Sequence, residues 1–155
     1  MRKEPRLLRV GILGCGPISQ FAHFEACRKA RNAELYAICD VAEDLVEKMA
    51  AIHTPQVTYT DYRVMLSDPN VEAVIVGVAD QFHVPAAREA IGAGKHVLVE
   101  KPMGVDVEEC EDLRKKVLAS GLVLQVGTEK RFDPGIAFAH RFIREDIGEM
   151  LALKA

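Results

Sequence analysis

Apolar residues along this chain fall into short runs that alternate with stretches of helical spacing. Leu7 to Leu13 is mainly apolar and ends in Gly14, after which Ile18, Phe21, Ala22 and Ala26 recur at helical intervals in the segment from Ile18 to Ala30. The pattern then repeats. Glu34 to Cys39 is a second apolar run closed by Asp40, and Val41 to His53 carries Leu45, Met49 and Ile52 on one helical face. A weaker strand over Gln56 to Tyr59 precedes a short helix near Asp61 to Ser67, with Asp61 suited to its N-cap. Val71 to Val78 is mostly β-branched and predicts a buried strand. Val84 to Ile91 then places Val84, Ala87, Ala90 and Ile91 on a helical face, and Gly92 and Gly94 end it. His96 to Val99 is a fifth strand. Asp106 to Ser120 predicts an amphipathic helix striped by Val107, Cys110, Leu113 and Val117 and stopped by Gly121, and Leu122 to Val126 is a sixth strand. Pro134 to Arg144 is again helical, and an apolar stretch opens at Ile147.

Strands with so little polar alternation, separated by helices, describe a parallel sheet covered on both faces, because a half-solvated sheet would alternate. Right-handed crossovers then give an α/β, doubly wound fold of six strands in the order 3-2-1-4-5-6.

The 155 residues are 49% hydrophobic, enough for one globular domain. A formal net charge of −3, with basic residues scattered along the chain, excludes a nucleic-acid footprint. No apolar run reaches signal-peptide or membrane-spanning length. Cys15, Cys27, Cys39 and Cys110 show no Cys-x-x-Cys spacing, which predicts buried reduced thiols, no metal site and a cytoplasmic protein. His23, His53, His96 and His140 likewise show no metal-ligand spacing and read as structural.

Chemistry concentrates where the first strand ends, at Gly14-Cys15-Gly16-Pro17-Ile18-Ser19. A backbone without Cβ at Gly14 and Gly16 turns tightly and approaches an anion closely, and a helix beginning near Pro17 aims its free amides at it. Pro17 gives up only a donor that lacks a helical partner, and Ser19, small though not glycine, still permits close packing of helix on strand. This is the pyrophosphate turn of a Rossmann fold. Asp40, at the end of the second strand, stands where an acidic residue accepts hydrogen bonds from the adenosine ribose; it is equally a candidate helix cap. A carboxylate there repels a 2′-phosphate by about 4 kcal/mol at 4 Å and an effective dielectric of 20, less where solvent screens it, so NAD is preferred over NADP.

Glu100-Lys101-Pro102 closes the fifth strand, on the sheet edge that borders the ligand crevice, with Pro102 holding Lys101 extended. Gln81 and His83 follow the fourth strand and are candidate cofactor contacts. His83 has a second reading of equal weight, as a first-turn helix residue with a satisfied imidazole.

Together these residues resemble the glucose-fructose oxidoreductase and inositol dehydrogenase family (Gfo/Idh/MocA). The likeness runs through Val10 to Gly16, Asp40, His83 with Ala86 and Ala87, the string from Ala93 to Pro102, Gly127 to Pro134, and Ile147 to Glu149. The run Gly94-Lys95-His96-Val97-Leu98-Val99-Glu100-Lys101-Pro102 is its most specific part. The resemblance implies an oxidoreductase moving hydride between nicotinamide and a sugar, cyclitol or related small-molecule alcohol. Lys101 would be the catalytic residue that polarises the substrate hydroxyl, with Glu100 and His83 near the nicotinamide ribose. Ala79-Asp80 departs from the Pro-Asn found in many members. The family also carries a second domain with an Asp/His pair for proton transfer, so residues 1–146 are expected to be the dinucleotide unit and 147–155 the start of a substrate and oligomerisation domain. The competing expectation is a stand-alone NAD-binding module without turnover. Phe138, Phe142, Ile143, Met150 and Leu151 would leave an apolar tail, either disordered or buried against a second copy in a homo-oligomer.

Overall fold

The computed structural model describes residues 6–147. Its strands are β1 (Leu8–Leu13), β2 (Ala33–Cys39), β3 (Val57–Tyr59), β4 (Ala73–Val76), β5 (His96–Val99) and β6 (Leu124–Val126). All pair in parallel in the order β3-β2-β1-β4-β5-β6, the doubly wound topology expected from the alternation of runs. The helices are α1 (Phe24–Lys29), α2 (Glu43–His53), α3 (Tyr62–Ser67), α4 (His83–Gly92), α5 (Val107–Ser120) and α6 (Pro134–Phe142).

Two cores flank the sheet. Val10, Ile12 and Ile38 point to one face and meet Phe24 and Cys27 of α1 with Val46 and Met49 of α2. Leu13, Cys39, Val74, Val76, Val97 and Val99 point to the other, against Met65 of α3, Val84, Ala87 and Ala90 of α4, and Leu113 of α5. Burial on both faces is why these strands lack polar alternation. Asp61 and Asp106 cap α3 and α5, accepting the amides of Arg63 and Glu109 at 2.8 Å each, and Gly121 ends α5 at φ 71°. The buried Lys95 closes the opposite end of the sheet by donating to the carbonyls of Asp68 and Val71 at 2.8 and 2.7 Å.

The register places Tyr59, Cys39, Leu13, Val76, Val99 and Val126 in one row across the sheet. One residue further along the strands, the ladder bonds continue. Asp40 donates to the carbonyl of Tyr59, Gly14 to Cys39, Gly77 to Leu13, Glu100 to Val76 and Gly127 to Val99. The carboxyl edge of the sheet therefore reads Asp40, Gly14, Gly77, Glu100, Gly127, two carboxylates among three glycines.

The structure departs from the periodicity most in the first helical segment. It is helical from Pro17, but Ser19–His23 forms a π-helical turn in which the Phe24 amide donates to the Ser19 carbonyl, five residues back. The wider turn rotates the inward face, so Ser19, His23, Phe24 and Cys27 are buried while Ile18, Phe21 and Ala26, expected inside, are exposed. Ile52 of α2 and Val107 of α5 also point outward, because α2 buries Val46 and Met49 and α5 buries only Leu113 fully. Phe138 and Phe142 stack on α6 with centroids 6.0 Å apart and are exposed. The strand expected from Ile147 differs at its first residue, which ends a π-helical turn over Ile143–Ile147, and the rest of it, with Met150 and Leu151, lies outside the described residues. Among the described residues no helix is long and apolar enough to cross a membrane.

Candidate functional site

A cleft of about 730 Å³ opens at the carboxyl edge of β1, β2 and β4, walled by Gly14, Gly16, Pro17, Ile18 and Asp40 together with Val41, Tyr62, Val78, Phe82 and Pro85. Its size suits a nucleotide-sized ligand. The two glycines of the turn differ in why they are needed. Gly14 has φ +93°, and a Cβ there would stand 2.5 Å from the Gly77 carbonyl oxygen, so the fold itself excludes a side chain. Gly16 has neither constraint. Nothing lies within 4 Å of a Cβ built on it, so the open space beside it faces the cleft and leaves room for a ligand atom to approach the backbone.

Ser19 is fully buried. Its Oγ donates to the Gly14 carbonyl at 2.6 Å, and a Cβ on Gly77 would come within 2.9 Å of that oxygen. The small third position therefore locks the turn against the β4 tip. Cys15 contributes backbone only. Its side chain is fully buried, and burial, helped by the neighbouring Asp40 charge, pushes the thiol up to about 12. Cys27 and Cys39 are likewise buried and unreactive, raised by burial to about 11 and about 12. The four cysteines are free.

Asp40 meets the turn directly. Its Oδ2 accepts the Cys15 amide at 2.7 Å and its Oδ1 the Ala42 amide at 3.0 Å. It does not cap α2, whose N-cap is Ala42; the carboxylate makes a turn ahead of the helix instead. A carboxylate has about four acceptor positions, so two remain open.

His83 has the geometry of its second reading, a buried first-turn imidazole, and is not open to the cleft. The ring is 1% exposed, with Nδ1 2.7 Å from the Pro102 carbonyl and Nε2 3.0 Å from that of Val78. Both ring nitrogens face backbone carbonyls, of which a neutral imidazole donates to one at a time, and the ring bridges the loop after β4 and the loop after β5. Gln81 is exposed on the short 3₁₀ turn Asp80–Phe82. Lys101 is exposed, its bond to Pro102 is cis, and its ammonium makes no ion pair among the described residues.

Glu100 sits behind Lys101. Its Oε2 accepts the Lys101 amide at 3.1 Å, and its carboxylate packs where a Cβ on Gly127 would be, 3.3 Å away. Its Oε1 lies 3.1 Å from Nε2 of His23, which points off the axis of a straight hydrogen bond. Burial lowers the His23 pKa below its ordinary value near 6.5, and the adjacent Glu100 charge offsets this only in part.

The edge row thus brings the glycine turn, Asp40 and the Glu100-Lys101 pair onto one rim of the sheet. Sequence reasoning missed His23, Gly77 and the apolar cleft walls. Gly77 carried a usable signal, a glycine closing a β-branched run, where close backbone approach is the physical reason for glycine. His23 carried none, since only the π turn directs it inward.

Residues 8–128 match the family model described as an oxidoreductase family with an NAD-binding Rossmann fold. Myo-inositol 2-dehydrogenase of Thermotoga maritima is 31% identical over 126 residues, which cover 81% of this chain and 37% of that enzyme. The NAD(+)-dependent scyllo-inositol 2-dehydrogenase of Bacillus subtilis is 30% identical over 143 residues, covering 92% and 41%. The crystal structure of scyllo-inositol dehydrogenase from Lactobacillus casei with bound NAD(H) and scyllo-inositol superposes with a TM-score of 0.84 at 25% identity, over 89% of this chain and 41% of that one. The chain spans about two-fifths of the length of these relatives.

The two glycines separate by experiment. Gly14→Ala is expected to cost about 3 kcal/mol or more, through the left-handed backbone and the clash with the β4 carbonyl, whereas Gly16→Ala shifts unfolding by roughly 0.5 kcal/mol or less. Gly16→Ala nevertheless weakens NAD about tenfold or more, because the methyl fills the approach to the turn. Urea melts and calorimetric titration check both, and a Gly16→Ala protein binding NAD like the wild type contradicts the assignment.

His23 also gives a pH signature. A ring whose folded pKa is depressed contributes stability that is present above 6.5 and lost as pH falls through the lowered folded value. Melting temperature should therefore fall between pH 7 and 5 more steeply in the wild type than in His23→Gln; parallel curves would exclude the ring as the cause.

Proposed function

Because the chain belongs to the Gfo/Idh/MocA oxidoreductases, whose N-terminal part is an NAD-binding Rossmann fold, we propose that it is the cofactor-binding half of an enzyme that oxidises or reduces a sugar, cyclitol or related alcohol. The observation that supports this is the edge row, which lines up the glycine turn, the Asp40 carboxylate and the Glu100-Lys101 pair along one rim of the sheet.

In this reading the diphosphate is held by the turn amides of Gly16, Ile18 and Ser19, those of Gly14 and Cys15 being bonded to the Cys39 carbonyl and the Asp40 carboxylate, and Asp40 accepts the adenosine ribose hydroxyls with its two free acceptor positions. Val41, Tyr62, Phe82 and Pro85 form the apolar walls beside the adenine. When bound, the nicotinamide supplies or accepts hydride at C4. Lys101 donates a hydrogen bond to the substrate hydroxyl, and its ammonium stabilises the developing alkoxide more than the neutral alcohol, which lowers the barrier. Glu100 holds the Lys101 amide from behind. His83 acts at one remove, by holding Pro102 and Val78 in place.

We place the boundary of the dinucleotide unit near residue 146, with the substrate pocket and the proton-transferring pair supplied from a second domain. The exposed aromatic side of α6 is where that domain or a second copy would pack, giving a homo-oligomer. Buried free thiols suit a cytoplasmic location.

Asp40 sets the cofactor preference. Calorimetric titration should give NAD an affinity at least about tenfold above NADP, a difference of ~1.4 kcal/mol after screening. Asp40→Asn, which keeps an acceptor for the Cys15 amide while removing the charge, should narrow the ratio toward unity. Tighter NADP binding by the wild type would refute the role of Asp40.

A further inference from the structure

The π-helical turn after the glycine turn has a consequence at the other end of the site. Within it, Ser19 and His23 both face inward. Ser19 is held by the Gly14 carbonyl, and His23 lies against the β4 tip, where a Cβ on Gly77 would be 3.5 Å from His23 Cδ2. The imidazole thus reaches past β4 to β5 and places Nε2 3.1 Å from Glu100 Oε1. The other oxygen of that carboxylate accepts the Lys101 amide at 3.1 Å. A continuous path of polar contacts runs from the diphosphate-side helix through His23 and Glu100 to the backbone of Lys101. Gly127 leaves the carboxylate room on its far side, and among the described residues no lysine or arginine forms an ion pair with it.

We propose that His23 is a positioning residue for the β5 tip: by orienting the Glu100 carboxylate it fixes the Lys101 amide, and with it the side from which the lysine enters the nicotinamide end of the crevice. The consequence for cofactor binding rests on the reading above that nicotinamide lies beside β5, while the effect on Lys101 itself does not. The side chain at 23 must set a polar group against the Glu100 carboxylate, so glutamine should serve in place of histidine and leucine should not.

The test measures two things in the wild type, His23→Leu and His23→Gln. Amide hydrogen exchange followed by NMR without ligand reports how firmly the Lys101 amide is held. Titration with NAD and with ADP-ribose, which lacks the nicotinamide, separates the two ends of the site. His23→Leu should speed Lys101 exchange about tenfold and weaken NAD about tenfold through loss of the polar contact with Glu100, with ADP-ribose affinity kept within about twofold. His23→Gln should restore both. Unchanged Lys101 exchange in His23→Leu overturns the proposal, and so does an equal loss of NAD and ADP-ribose, which would mark a purely structural residue. A wild type that binds neither ligand yet shows the exchange effect with its glutamine rescue would support the positioning role and overturn the cofactor reading instead.

Discussion

Hydrogen bonding between parallel strands is the constraint on which the rest of this molecule depends. Each strand tip donates to the strand beside it one residue past the last apolar row, which aligns Asp40, Gly14, Gly77, Glu100 and Gly127 along one edge. A side-chain period of two makes that alignment unforgiving. A slip of one residue would turn the buried valines of β4 and β5 to the wrong face, so the energy of both cores holds the edge in register. Residues far apart in the chain become neighbours without any local sequence signal linking them.

The edge works only because small residues let its parts touch. Gly14 and Gly77 approach until a Cβ on the first would overlap the carbonyl of the second, and Ser19 closes the gap from the helix above. Behind Lys101 the packing is polar: Glu100 fits against Gly127 and meets a buried histidine. A buried N–H without an aligned acceptor costs about 1–3 kcal/mol, a cost the two apolar cores must offset. His83 makes a comparable tie on the opposite side of Lys101, from the first turn of α4 to the Pro102 carbonyl. Lys101 is thereby exposed at its tip and braced at its backbone from two directions.

Much of this was legible beforehand because the physics involved is local or periodic. The β5 bounds, the Asp61 cap, the αL stop at Gly121 and the strand order all follow from runs, caps and crossover handedness. The first helix did not, since a period of 3.6 cannot anticipate a turn that closes five residues back; Phe21 went outside and His23 inside for that reason alone. His83 suits either role by its type, and what favours the buried one is a tertiary contact, the carbonyl of Pro102 nineteen residues away. Gly14 and Gly16 looked equivalent in the string, yet one answers to a neighbouring strand and the other to the open cleft.

The most direct measurement of the central claim is a crystal structure of the protein with NAD. The diphosphate should lie over Gly16, within hydrogen-bond distance of the turn amides, with the adenosine ribose on Asp40 and the nicotinamide on the Lys101 side of the edge. Density for the diphosphate away from that turn, or the dinucleotide lying in the reverse direction along the row, would contradict it.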